Sequence, residues 1–324
     1  MGLRWYVARR VAWAVVATYL AVSLTFGLLV LTPNAGADVA AAQTAASGGD
    51  YRAVRESYRA RRGLDRPLAE RYVDYMTNVF TLHWGYSFSQ GEPVVRAIGD
   101  AWIYSAQYFL PAILISALLG YGIGLYSALN RYTLTDYVGS FLAYFGISIP
   151  NFWFAIVLIL LFGVVLGWLP TYYDTGTPLL SVANLKQLLL PIVVLSTASV
   201  AGQMRYSRAQ AVEYARSAFV KTARAKGASQ WRVLTRHVLR VALVPLSTIL
   251  IADVLAVLFA GSFIIETIFQ IPGLGRLALT AISQKDTPLV LATTLVPVFI
   301  AIVGNLVQDL AYVVLDPRID YGDR

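Results

Sequence analysis

No cysteine occurs in the 324 residues of the chain, which excludes disulfides, thiolate metal sites and thiol catalysis. Histidine is almost as scarce. His83 and His237 stand in segments of different character, so a histidine-rich metal cluster is excluded as well. Charged residues make up only 14% of the chain. No Gly-x-x-x-x-Gly-Lys-Ser/Thr loop of the kind that cradles nucleotide phosphates is present.

What the chain has instead is apolar surface. Hydrophobic residues are 57% of the total and the mean hydropathy is +0.61, above the roughly 45–50% apolar content of soluble domains. A helix crossing a hydrocarbon core of about 30 Å needs about 20 mostly apolar residues. Six stretches qualify, at about 11–31, 101–129, 138–168, 186–204, 243–265 and 289–315. The expected class is an all-α polytopic membrane protein with six transmembrane helices and a long external segment after the first. The expected division is an N-terminal tail and first helix (1–31), the external segment (32–100), and a five-helix core (101–324). Pro111, Pro150, Pro191 and Pro297 fall within these stretches, where neighbouring helices can satisfy the carbonyls they free. The first apolar run is longer than the roughly 7–15 residues of a signal-peptide core, so it is read as an uncleaved anchor despite the small residues of "NAGA" at 34–37.

A net charge of +8 in a soluble protein would suggest nucleic acid; here its location matters more. Residues 205–242 hold nine basic residues and one acid, Glu213, while 32–99 hold eight basic and seven acidic residues. The N-terminus adds Arg4, Arg9 and Arg10. By the positive-inside bias, both termini and the 205–242 loop are expected in the cytoplasm of a cell-membrane protein, with 32–99 outside.

Within that loop Arg232, Arg236 and Arg240 recur at i, i+4 and share a helical face, with Val233, Leu234, Val238 and Val241 adjoining. Before them, Ala218, Ala223, Ala225 and Ala228 surround Gly227, which suits a break between two short helices. Two occupants fit: anionic lipid headgroups against the arginines, or another protein approaching the small Ala/Gly patch.

Here the sequence resembles a known family. Thr222-Ala223-Arg224-Ala225-Lys226-Gly227, followed by Val233-Leu234, Arg236-His237, Leu239-Arg240, Ala242-Leu243 and Pro245, is similar to the cytoplasmic "EAA" loop of ABC importer permeases, in the form carried by the dipeptide/oligopeptide/nickel branch. Further resemblances to that branch are "YVARRVAWAVVATYLAVSLTF", "GLDRPLAERYVDYM", "WGYSFSQGEPV", "FGISIPNFWFAIVLILLFG", "FIIETIFQIPGLGRLALTAI" and "LDPRID", in that order along the chain. One departure is "LTPNAGADV" at 31–39, where the branch usually has Pro-Gly-Asp-Pro. The resemblance implies a type I ABC importer permease fold and transport of dipeptides or oligopeptides. Nickel complexes and oligosaccharides are the alternative cargoes. It also implies a heterodimer with a second permease, two peripheral ATPases that hold ATP and magnesium, an external solute-binding protein, and no cofactor on this chain. Thr222, Ala223, Arg224, Ala225, Lys226, Gly227, Ala228 and Ser229 are then the expected ATPase-docking positions. The external stretch 52–80 fits either a solvated cap on the bundle or part of the binding protein's landing surface.

Ionisable residues inside spans are costly and mark candidate pathway positions, here Asp253 and Asp309; bonding between helices is the plainer alternative. Glu266 is expected at the outer end of the fifth span, before a turn that Pro272, Gly273 and Gly275 make tight. An outer gate and a loop packed on the partner permease both fit that segment. Trp102, Tyr104, Trp153 and Trp168 are expected as interfacial anchors. An intramembrane enzyme would need a nucleophile and base within the spans, and both histidines lie outside them. A channel would need pore-lining rings and no ATPase.

Overall fold

The computed structural model describes residues 3–31, 50–61, 63, 65–260 and 262–315. Most of "LTPNAGADV" and all but the first residue of "LDPRID" lie outside these residues.

Among the described residues the regular structure is helical apart from one small hairpin. Helix α1 (Leu3–Leu31) is followed by α2 (Tyr51–Arg61) and α3 (Leu68–Phe80). Strands β1 (Tyr86–Ser87) and β2 (Glu92–Pro93) pair antiparallel and lead into α4 (Val94–Leu129). Then come α5 (Leu134–Ser148), α6 (Asn151–Leu158) with wider i→i+5 turns over Ile159–Val165, and α7 (Val182–Ala215). The rest is α8 (Ala218–Ala225), α9 (Leu239–Ala260), α10 (Phe263–Phe269), α11 (Leu274–Ser283) and α12 (Thr287–Leu315).

Helices α1, α4, α7 and α12 are each long and apolar enough to cross a membrane. Two bent pairs raise the count to six if each pair is one span. The stretch expected as one third span is not continuous: α5 and the Asn151–Val165 segment meet at 99°. Pro150 accounts for this. It starts α6 in an extended conformation, as a residue lacking an N–H and fixed in φ does at a helix start. Pro111, Pro191 and Pro297, by contrast, sit inside α4, α7 and α12. The fourth span runs well beyond its expected limits, so the first part of the 205–242 loop is a continuation of α7. The fifth ends at Ala260, short of the expected 265, and Glu266 falls on the separate helix α10.

The centre of the bundle is the pairing of α4 with α7. A Cβ on Gly124 would stand 1.9 Å from Ser207 Oγ and 2.4 Å from the Met204 carbonyl oxygen, and one on Gly120 would stand 2.5 Å from Gln203 Cβ. Gly120 and Gly124 thus form a small-residue step of the kind that brings membrane helices into backbone contact. Ser207 Oγ donates to the Gly120 carbonyl across that contact at 3.2 Å.

The segment between α1 and α4 is fastened at two places. Tyr75, Met76 and Val79 of α3 pack on Val22 of α1 and on Leu295 and Phe299 of α12, and Ser23 and Tyr72 share a hydrogen bond of 2.7 Å. Burial pushes the Tyr75 hydroxyl up to about 12. At the hairpin, the buried Asp286 carboxylate accepts from Ser87 Oγ (2.6 Å), Ser89 Oγ (2.8 Å) and the Ser89 N–H (3.0 Å). Trp153 and Trp168 are exposed, as interfacial anchors would be, but Trp102 and Tyr104 are half-buried. Tyr104 meets Tyr173 edge-on at 5.7 Å inside the bundle.

Candidate functional site

The basic loop begins where α7 ends. Helix α8 runs to Ala225, the chain reverses at Gly227 with φ +79°, and helix resumes at Gln230 with Ser229 Oγ accepting from the Arg232 N–H. Only glycine takes that φ without a Cβ penalty. The Ala228 N–H donates to the Ala223 carbonyl at 3.1 Å and closes the α8 terminus.

The loop has an inner and an outer face. Val220, Ala223, Val233, Leu234 and Val238 are buried together with Leu125 and Ala128 of α4 and Ala211 of α7, and the half-buried Ala228 packs against them. Thr222, Arg224, Ala225, Lys226, Gly227 and Ser229 are exposed. Ala223 therefore faces its own chain, and the surface offered outward is the tip from Arg224 to Gly227. Arg232, Arg236 and Arg240 are all exposed, on wider i→i+5 turns over Val233–Val238 that widen the i, i+4 stripe. These turns lead into α9, which carries Pro245, and the path bends by 54° between Leu243 and Pro245, so the loop meets the span at an angle.

Asp253 of α9 accepts a hydrogen bond from Gln203 Nε2 of α7. Both line an open cavity of about 380 Å³ with Ser116, Ser199 and Tyr206, the rest of the lining being Gly202 and aliphatic side chains. Gln203 is 5% exposed and its Oε1 is buried without a partner.

The other two candidate acids lie elsewhere. Glu266 is fully buried. Its Oε1 accepts from Ser105 Oγ and Tyr108 OH, both at 2.7 Å, and its Oε2 from the Arg276 N–H at 2.8 Å. Ser105 Oγ in turn accepts from the Leu274 N–H at 2.9 Å. Helix α11 has no capping side chain of its own, so these two groups satisfy N–H groups of its first turn from outside. Gly273 and Gly275 are required for close approach rather than for turn geometry. A Cβ on Gly273 would lie 2.4 Å from Glu266 Cδ, and one on Gly275 2.4 Å from the Phe263 nitrogen. The left-handed residue of the turn is Gln270, with φ 58°, while Gly273 is extended. Asp309 pairs with Arg10 at 2.8 Å and joins α12 to α1. Of the three, Asp253 lines the described cavity.

Several contributors escape a reading by residue type. Asp136, 3% exposed, pairs with Arg208 at 2.8 Å and accepts from the Tyr132 N–H, which ties the start of α5 to the C-terminal part of α7. A Thr133-to-Asp136 spacing at a helix start was the available signal. Gln203 was visible as an amide in an apolar run. Ser105 and Tyr108 stand three apart on one face of α4, a weaker cue.

Residues 120–321 match the family described as binding-protein-dependent transport system inner membrane component. The chain is 34% identical to the oligopeptide transport system permease protein AppB of Bacillus subtilis (strain 168), over 83% of this chain and 86% of that protein. It is also 34% identical to the dipeptide transport system permease protein DppB of the same organism, over 95% of each. With the oligopeptide transport system permease protein OppB of Haemophilus influenzae the identity is 33%, over 83% of this chain and 86% of the relative.

Proposed function

The chain belongs to the family of binding-protein-dependent transport system inner membrane components, and on that premise we propose that it is one of two permease subunits of an ATP-driven importer of dipeptides and oligopeptides. The observation that carries the cargo assignment is the agreement, over 83–95% of the chain, with relatives named as peptide permeases. In this reading the exposed tip from Arg224 to Gly227 seats in a cleft of a peripheral ATPase. The exposed arginines that follow lie against anionic headgroups. Both termini and the loop face the cytoplasm, and the fastened hairpin and α3 stand on the side where a solute-binding protein delivers its load.

The mechanism follows from the way the loop is built. Its buried face packs on α4 and α7, and its second half leads into α9 through a 54° bend at Pro245. A push on the tip is then carried to α4 and α7 through that packing and reaches α9 across the bend. Helices α7 and α9 carry Gln203 and Asp253, so the same movement alters the cavity between them. Nucleotide and magnesium are held by the ATPases, and this chain contributes the path and the lever.

The test is the ligand range of the solute-binding protein that works with this permease. Binding of a panel of short peptides, with none of sugars or Ni²⁺, is the expected result. Binding of oligosaccharides or nickel complexes instead would overturn the peptide assignment. Purification of the complex without ATPase subunits, with passive flux through it, would point to a channel.

A further inference from the structure

A carboxylate within a membrane-spanning helix is costly unless a cation or several donors face it. Asp253 has one neutral donor among the described residues, the Gln203 amide. Among the described residues no basic side chain lines the cavity it faces. The amide that donates to Asp253 leaves its own Oε1 buried and unpaired, on a side chain nine-tenths buried in the same wall. Reversing the amide would set its oxygen against the carboxylate, so the donor must point at Asp253 and the acceptor stays unmet. Ser116 Oγ already donates to the Ile113 carbonyl at 2.9 Å and so presents lone pairs on the same wall. The wall thus offers one negative charge and two acceptors around Asp253, its amide donor already spent, with the hydroxyls of Ser199 and Tyr206 elsewhere in the lining.

The ligand that completes such a wall has several N–H donors, a positive charge and little bulk. We infer that this cavity is a binding site for a primary ammonium group of the cargo, with Asp253 as its counter-ion and Gln203 Oε1 and Ser116 Oγ as its remaining acceptors. This rests on the peptide-importer reading and deepens it, since each unmodified peptide carries such a group at its N-terminus and some carry another on lysine. An ammonium has three donors on one centre, which matches one carboxylate flanked by neutral oxygens. A guanidinium or a metal ion suits the wall less well, having only one charged oxygen group to meet.

The experiment uses the complete transporter in proteoliposomes, with partner permease, ATPases and binding protein. Uptake is measured for three probes: tri-alanine, N-acetyl-tri-alanine and N-acetyl-Ala-Lys-Ala. In Asp253→Asn, loss of a charge-assisted bond is expected to slow tri-alanine uptake by about tenfold and leave N-acetyl-tri-alanine unchanged. Slowing of tri-alanine alone assigns the site to the peptide terminus; slowing of N-acetyl-Ala-Lys-Ala as well assigns it to any primary ammonium. Asp253→Glu, which keeps the charge, is expected to retain discrimination between the free and acetylated peptides. Equal slowing of all three probes, or of none, overturns the inference even though peptides enter. If the wild-type transporter hydrolyses ATP with loaded binding protein yet takes up none of the three, the peptide reading itself has failed. Recovery of the intact complex on gel filtration separates these results from misassembly.

Discussion

The Glu266 carboxylate accepts the N–H of Arg276 at 2.8 Å, so a side chain of α10 caps the first turn of α11 across a sharp turn of the chain. The same carboxylate takes the hydroxyls of Ser105 and Tyr108, which ties that turn to α4. Glu266→Ala leaves three buried donors without an acceptor at once. At roughly 1–3 kcal/mol for each unsatisfied group, the variant is expected to lower the thermal stability of the purified complex markedly. Glu266→Gln retains an acceptor oxygen but places an amide N–H₂ among donors, so it should fall between Ala and the native protein. Melting curves of the three proteins in one detergent check this order.

Gly124 makes a sharper steric prediction. The Cβ of Gly124→Ala would overlap both Ser207 Oγ and the Met204 carbonyl oxygen. Removing the hydroxyl relieves only the first overlap, because the second is to backbone. Gly124→Ala is therefore expected to cost about 1–3 kcal/mol, and Gly124→Ala with Ser207→Ala should recover only part of it. Full recovery in the double variant would mean that α4 and α7 are not held at backbone contact. Yield of assembled complex and its melting temperature are the readouts.

What could be read from the sequence followed apolar length and family-like motifs, because both are local. The apolar stretches placed the long helices, and Gly227 placed the break in the basic loop. Non-local geometry was harder to read. Pro150 looked the same in the sequence as Pro111 and Pro191, yet it alone of the three stands at a sharp bend, while the other two lie inside helices. Gly273 and Gly275 suggested a tight turn, but what they require is room for the Glu266 carboxylate and the Phe263 backbone. Ala223 looked like part of an exposed small-residue patch until the packing of Val220 and Val233 turned it inward. Nothing in the composition distinguished Asp309, which has an arginine partner on the first helix, from Asp253, which does not. Partners far apart in the chain decide such cases.

That difference separates two acids that the sequence placed together. The Arg10–Asp309 pair is partly exposed, with side-chain exposures of 41% and 20%, so its contribution is discounted by solvent to at most about 1 kcal/mol. Asp309→Asn is expected to leave uptake rates near the native value and to lower the melting temperature slightly. Arg10→Gln should do the same, and the double variant should be no worse than either single one. A loss of uptake in Asp309→Asn with unchanged stability would instead place Asp309 on the transport path.

The last prediction concerns the loop tip. Gly227 has φ +79° and no atom within 4 Å of where a Cβ would project. A side chain there meets open space within this chain, and its intrinsic penalty is backbone strain of about 1–2 kcal/mol. Gly227→Ala carries that strain alone and is expected to assemble and transport nearly as the native protein does. Gly227→Asp adds a negative charge beside Arg224 and Lys226, on the face proposed to enter the ATPase cleft. If that face is the contact, burying an unmatched carboxylate there costs well over 1 kcal/mol of docking. ATP hydrolysis should then persist while uptake falls about tenfold or more, with the complex still recovered whole. Undiminished uptake in Gly227→Asp would remove the tip from the interface. Equal losses in Ala and Asp would assign the effect to backbone strain, so only the difference between the two variants tests the docking surface.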